Sequence, residues 1–99
     1  MSKLLPIGTV VKIGMAKDYL VMIMGYYPKN NAGDRYYHYI GCLYPFGIKD
    51  ADSFILFDEE SISEVVFQGY QDEEGESLTK GLPILMKELL GEMNHFVEE

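Results

Sequence analysis

The sequence predicts an α+β fold: a small, strongly bent antiparallel sheet or SH3-like barrel of about five strands, followed by a C-terminal amphipathic helix. Short runs of β-branched and aromatic residues occur up to residue 70, and clusters of Gly, Pro, Asn and Asp separate them. From Leu78 the apolar residues recur at steps of three and four, which is the period of a helix. With 99 residues, of which 47% are hydrophobic, the chain can build one domain core.

The first two predicted strands differ in how many apolar faces they have. In Leu4–Ile13, alternation places Ile7, Thr9, Val11 and Ile13 on one face. The second strand, Tyr19–Tyr27, is apolar on both faces, so we expect it to be buried in the centre of the sheet. Gly25 within it indicates a bulge or a sharp bend.

A hairpin is predicted around the turn cluster Pro28–Asp34. Strands Tyr19–Tyr27 and Arg35–Tyr44 flank this cluster, so they should pair in antiparallel fashion. The pairing would bring Tyr26 and Tyr27 near Tyr36 and Tyr37 as an aromatic cross-strand ladder.

Two shorter strands should complete the sheet. Phe54–Phe57 is a compact apolar run, and Asp58 can cap one helical turn after it. Val65–Phe67 is the last predicted strand. The sheet region therefore ends before the acidic connector that begins at Gln71.

The C-terminal segment is predicted to be a helix with a wide apolar stripe. Ser77 is the expected N-cap, and Pro83 should either start the regular helix or kink it. We therefore expect a β-rich domain over residues 1–76 and a helix over residues 77–99 that packs on it or on a partner. The apolar positions of the stripe are Leu78, Leu82, Leu85, Met86, Leu89, Leu90, Met93, Phe96 and Val97.

Charge and composition narrow the classes of function. The net charge is −8, and residues 71–99 hold two lysines and eight acidic residues, a net charge of −6. Nucleic-acid binding is not expected, because it requires a basic surface. The chain has no apolar run of membrane-spanning length and no signal-peptide pattern, and it holds one cysteine. These features predict a cytoplasmic protein with a protein partner.

No catalytic, cofactor or metal site is predicted. Cys42 and His38 are four positions apart on a strand, about 13 Å at about 3.3 Å per residue, which is too far for a nucleophile and its base. His95 could approach either residue, but nothing in the sequence places it there. The cysteine and the two histidines have no zinc-ligand spacing. The acidic runs at Asp58 and Asp72 are typical of solvated helix starts.

Tyrosines are the main candidates for a binding surface. Alternation along the strands should send about half of them outward, and exposed tyrosine is typical of protein interfaces. Stacking of nucleic-acid bases is the other use of such a face, but the acidity of the chain disfavours it. The predicted protein-binding residues are Tyr26, Tyr27, Tyr36, Tyr37, Tyr39 and Tyr44.

Three motifs carry a resemblance to a known family: Leu5–Val11 (Leu-Pro-Ile-Gly-Thr-Val-Val), Tyr39–Pro45 (Tyr-Ile-Gly-Cys-Leu-Tyr-Pro) with Gly47, and Ile62–Tyr70. Over about residues 4–75 the chain resembles a domain-of-unknown-function family of small proteins from low-GC Gram-positive bacteria. Genes of that family often lie beside type VII secretion systems and the LXG toxins that these systems export. The resemblance implies a cytoplasmic, non-enzymatic accessory that binds the helical N-terminal region of such a toxin, and it supplies no catalytic residues.

Three functional hypotheses follow. The first is an adaptor whose tyrosine face, with the acidic tail, binds a helical partner such as an LXG toxin. The second is a self-associating structural module that forms a homodimer through the C-terminal helix. The third is a hydrolase or redox enzyme that uses Cys42, for which no set of residues argues; we therefore expect a protein that is not an enzyme.

Overall fold

The computed structural model describes residues 3–14 and 19–94, with side chains of the last helix described through Leu90. Two compact units make up the chain. One is Leu5–Tyr70, which contains the whole sheet. The other consists of the segment from Gln71 onward together with Lys3 and Leu4.

Five antiparallel strands form one open sheet in the order β4-β3-β2-β1-β5. The predicted five-stranded antiparallel sheet with a C-terminal helix is confirmed. Because β4 and β5 lie at opposite edges, the sheet does not close into the alternative barrel. The strands are β1 Val10–Ile13, β2 Leu20–Tyr26, β3 Tyr39–Tyr44, β4 Phe54–Phe57 and β5 Ile62–Phe67.

The predicted hairpin between β2 and β3 is confirmed, with a different set of aromatic neighbours. The register shifts between Ile23 and Gly25, so the bulge expected at Gly25 is present. Beyond this bulge Tyr26 lies opposite Tyr39, and the only bridge of Tyr36 is to Lys29. The predicted ladder of Tyr26 and Tyr27 with Tyr36 and Tyr37 is therefore wrong, because the register set after the bulge pairs Tyr26 with Tyr39.

The core of the sheet includes three of the four residues that alternation placed on one face of the first strand. Thr9, Val11 and Ile13 are all 0% exposed, as are Val21 and Ile23 of β2. Ile7 does not share this burial and is 52% exposed. It precedes Gly8, whose positive φ of 93° turns the chain before β1 begins. β2 is central, as expected, although its second face is only half-buried.

Gly69, which follows β5, is hydrogen-bonded to Thr9, which comes just before β1. Its N–H donates to the Thr9 hydroxyl at 3.0 Å in a buried hydrogen bond. A Cβ atom on Gly69 would collide with the Ile7 carbonyl oxygen and lie 2.8 Å from the Gly8 carbonyl carbon. Only glycine allows the two backbones to approach this closely.

The helix α1 spans Glu73–Asn94 and begins before the predicted N-cap at Ser77. Asp72 is the actual cap: its Oδ1 accepts the Gly75 N–H at 2.9 Å, and its carbonyl accepts the Glu76 N–H at 2.9 Å. Glutamates in the first turn also favour this earlier start, because they complement the helix dipole. Within residues 3–14 and 19–94, no helix is long and apolar enough to cross a membrane.

Pro83 lies inside α1, which continues through it. Proline has no N–H, so the Thr79 carbonyl loses its partner four residues later in the helix. Leu4 replaces that partner, since its N–H donates to the Thr79 oxygen at 3.0 Å. Leu4 and Thr79 are 1% and 2% exposed, so this hydrogen bond satisfies two buried backbone groups.

We predict that Gly69→Ala lowers the free energy of unfolding by about 1–3 kcal/mol or more, because the added methyl group must displace the Ile7–Thr9 backbone. Urea denaturation measures the change. Gly81→Ala is the matched control: nothing lies within 4 Å of its Cβ position, so it should raise helix stability by up to about 1 kcal/mol. Equal effects of the two substitutions would contradict the close approach at Gly69.

Candidate functional site

Tyr39 is the centre of an aromatic cluster in the sheet and is only 1% exposed. Its ring stacks on Phe57 with centroids 5.5 Å apart and an interplanar angle of 29°. Tyr26 and His38 flank it at centroid distances of 6.1 and 6.4 Å. Tyr39 is therefore a core residue, and its inclusion among the surface tyrosines needs correction: β3 turns this ring inward, where a partner cannot touch it.

Two tyrosine hydroxyls hold the backbone of Leu5. The Leu5 N–H donates to the Tyr39 oxygen at 3.0 Å, and the Tyr26 O–H donates to the Leu5 carbonyl at 2.6 Å. Burial raises the pKa of Tyr39 to about 12, although the Leu5 N–H acts in the opposite direction by stabilising the phenolate. Burial also raises the pKa of Tyr26. Both hydroxyls serve as structural groups that hold the Leu5 backbone.

The other predicted tyrosines differ in the exposure of their rings and in the side chains that contact them. The Lys29 ammonium lies 5.2 Å from the Tyr36 ring centroid, and the Arg35 guanidinium lies 4.1 Å from that of Tyr37. Tyr27 meets His38 edge-on at 6.1 Å. These three rings are half-buried, whereas Tyr44 is 52% exposed. Of the six predicted residues, Tyr44 alone is an exposed side chain.

A polar cluster that the sequence did not reveal connects the residues just before β3 with the helical turn Glu59–Ser61 after β4. Asp58 pairs with Arg35, and its other oxygen accepts the His38 backbone N–H at 3.2 Å. The His38 Nδ1 accepts the Glu59 N–H at 2.9 Å. Asp58 makes no side-chain capping bond to its own turn, so its predicted capping role is wrong. Instead, His38, which lies just before β3, accepts the Glu59 N–H and so caps that turn.

The geometry gives no support to chemistry at Cys42. This residue is 4% exposed and lies between Met22 of β2 and Phe54 of β4 in the sheet register. His38 precedes β3, and its Nδ1 is occupied by the Glu59 N–H. His95 lies outside the described residues. Across residues 3–14 and 19–94, no group of three His, Cys, Asp or Glu side chains is arranged to hold a metal ion.

Large apolar side chains are exposed in the sheet unit, mostly outside the predicted tyrosines. One group lies at the β3–β4 connection, and a second group lies on the edge strand β5 and just after it. Strand alternation could not identify the second group, because β5 has no covered face after Ile62. The first group is Tyr44, Phe46, Ile48 and Phe54; the second is Val65, Val66, Phe67 and Tyr70.

The helix α1 also exposes apolar side chains. Leu78, Leu85 and Leu89 are 48%, 49% and 42% exposed, and Ile84 is 62% exposed. Its first turns border an open depression lined by Asp72, Glu74, Gly75, Ser77 and Leu78. From Leu78 to Leu90 the predicted stripe is thus covered only in part, and the side chains of Met93, Phe96 and Val97 lie outside the described residues.

We predict that stability falls as the pH rises from about 10 towards 12, because the Tyr39 pKa of about 12 lies above the ordinary value of 10.0 and folding opposes ionisation. Tyr39→Phe should make this fall shallower. At neutral pH it should cost about 1–3 kcal/mol, since the Leu5 N–H loses its acceptor. Urea unfolding at several pH values tests both effects, with the exposed Tyr44→Phe as the control. Titration of Tyr39 together with the exposed tyrosines would contradict the prediction.

Comparison with known proteins identifies a family and no individual relative. A family model described as a domain of unknown function, DUF4176, matches residues 4–78. Comparisons with curated proteins and with solved structures give no significant match. The matched region contains the whole sheet and all three motifs that carried the resemblance. Because it covers well over half of the sequence, the chain belongs to the DUF4176 family.

Proposed function

We propose that this protein is a non-enzymatic cytoplasmic adaptor that binds a helical partner protein, an LXG toxin destined for type VII secretion. The adaptor would engage the helical N-terminal region of the toxin before export. The gene neighbourhood that the family resemblance implies supplies the identity of the partner. The binding role itself is supported by the surface of the protein.

The observation that carries the proposal is the exposure of large apolar side chains in both compact units. Phe46, Phe67 and Tyr70 are 69%, 62% and 83% exposed in the sheet unit, and Leu85 is 49% exposed on α1. Monomeric proteins seldom expose large contiguous apolar patches, and such patches usually mark binding surfaces. A helical partner suits them, because an amphipathic helix buries one apolar face when it binds.

Among the predicted contact residues, Tyr44 now has the strongest support. Its ring is half-exposed, and three other exposed apolar side chains lie on the chain that follows it up to the start of β4: Phe46, Ile48 and Phe54. Tyr36 and Tyr37 contribute the exposed parts of rings that already contact Lys29 and Arg35. Tyr26 and Tyr27 are half-buried and remain weaker candidates.

We predict that the purified chain forms a stable complex with the helical N-terminal region of an LXG toxin encoded beside it, and that deleting its gene lowers export of that toxin. Size-exclusion chromatography with light scattering measures the complex, and immunoblotting of culture medium measures export. Unchanged export in the deletion strain, together with no complex, would refute the adaptor function.

We also predict that Tyr44→Ser weakens this complex by about three- to tenfold. The control is Tyr19→Ser: Tyr19 is 53% exposed, almost equal to Tyr44 at 52%, and precedes Leu20, which lies opposite Tyr44 in the sheet. Because successive side chains of a strand point to opposite faces, Tyr19 should lie off the Tyr44 surface. Calorimetric titration of both variants measures the affinity, and equal losses would argue against a specific contact at Tyr44.

The alternative function is a self-associating module in which α1 pairs with its copy. The exposed leucines of α1 favour this alternative. Light scattering over a range of concentrations separates the two, because an adaptor that waits for its partner should remain monomeric when it is free.

A further inference from the structure

Four leucines of α1 form a continuous strip that we call the leucine seam: Leu78, Leu82, Leu85 and Leu89. Their spacing of four, three and four residues is that of the a and d positions of a coiled coil. Three of them are 42–49% exposed and Leu82 is half-buried. The seam therefore presents to solvent the pattern by which one helix packs against another.

The two flanks of the seam are different. On one side lie Thr79 and Pro83, both buried, so that flank is already covered. On the other side the helix positions next to the seam are Glu74, Gly81 and Glu88. Nothing lies within 4 Å of the Cβ position of Gly81. This open flank leaves room for a second helix to approach the leucines closely.

The charge on the open flank is negative and unneutralised. Glu76, on another face, is paired with Lys80 at 3.1 Å and with Lys3 at 3.7 Å. Within the described part of the chain, Glu74 and Glu88 have no ion-pair partner within 4 Å. Glu74 and Asp72 also border the depression next to Leu78. A ligand that covers the leucines is therefore favoured when it brings positive charge beside an apolar strip.

We infer that the leucine seam binds an amphipathic helix of the partner protein whose apolar stripe is flanked by lysine or arginine. The leucines bury the apolar stripe, and Glu74 and Glu88 pair with the basic residues at its rim. Such rim charges select the partner and its orientation more than they add affinity. The identity of the partner rests on the proposed adaptor function, whereas the chemistry of the binding helix rests on the seam alone.

A second copy of the chain fits the seam less well than a basic helix. A symmetric parallel pair would need the flank that carries Thr79, which is only 2% exposed. An antiparallel pair would turn the glutamate flank of each copy toward the other. Each copy also brings the net charge of −6 of residues 71–99. Like charges placed opposite each other oppose this self-association.

A pair of synthetic helices of about three heptads tests the inference. Both peptides have leucine at a and d; one has lysine at e and g, and the other has glutamate there, so neither pairs well with itself. We expect the lysine peptide to bind the full chain at least about tenfold more tightly than the glutamate peptide. Fluorescence anisotropy measures the affinity, and added salt should weaken it.

Matched variants locate the contact. Leu85→Gln should weaken binding of the lysine peptide by about tenfold or more. Ile84→Gln is its control, because Ile84 is 62% exposed on the same helix but lies off the seam. Glu74→Gln with Glu88→Gln should weaken binding by about two- to tenfold, and the exposed pair Glu59→Gln with Glu60→Gln should not. All these positions are exposed to solvent, so circular dichroism should show unchanged folding.

Three results would overturn the inference: no binding of the lysine peptide, equal binding of both peptides, or a homodimer of the free chain that Leu85→Gln dissociates. Binding experiments with the helical N-terminal region of the LXG toxin distinguish failure of this inference from failure of the proposed function. If that region binds wild type and Leu85→Gln equally well, the seam assignment fails and the adaptor function stands. If the region does not bind while the lysine peptide binds through Leu85, the adaptor function fails and the seam stands.

Discussion

The sheet unit depends on the hydrogen bonds that two tyrosine hydroxyls make to the backbone of Leu5. Tyr26 belongs to β2 and Tyr39 to β3, so a single residue ahead of β1 is fixed to two other strands. Packing holds the two hydroxyls in place, because the Tyr26 and Tyr39 rings contact each other and Tyr39 stacks on Phe57. Removing either hydroxyl leaves a backbone group of Leu5 without its partner, which costs more than the hydrogen bond contributes.

This use of tyrosine changes where binding can occur. Rings that a composition-based argument assigns to an interface are engaged in the core, as for Tyr39, or against cations, as for Tyr36 and Tyr37. Most of the exposed large apolar side chains belong to the β3–β4 connection, to β5 with the residues just after it, and to the leucine seam. The residues that hold the sheet together are thus separate from the exposed apolar residues, so the exposed surface can change without loss of the fold.

The sequence predicted the strands well and their long-range neighbours poorly. Alternation and turn residues locate β1 to β5 because these signals are local. The pairing of Tyr26 with Tyr39 depends on a bulge whose exact register no local signal specifies. The helix start was missed because Asp72 and Ser77 are both good caps, and the continuation through Pro83 depends on Leu4, about eighty residues earlier in the chain. Exposure of individual tyrosines also depends on long-range packing, so residue spacing could not show which of them are exposed.

The strand order has a consequence for synthesis on the ribosome. β1 is the first strand to emerge, yet its place is between β2 and β5, and β5 is the last strand to be made. The backbone N–H and C=O groups on one edge of β1 therefore have no partner strand while more than half of the protein is translated. A nascent chain with an open apolar edge can pair with a neighbouring chain on the same messenger RNA. The hydrogen bond from the Gly69 N–H to the Thr9 hydroxyl can form only after β5 has left the exit tunnel. Its formation therefore marks the end of the period in which β1 has an unpaired edge.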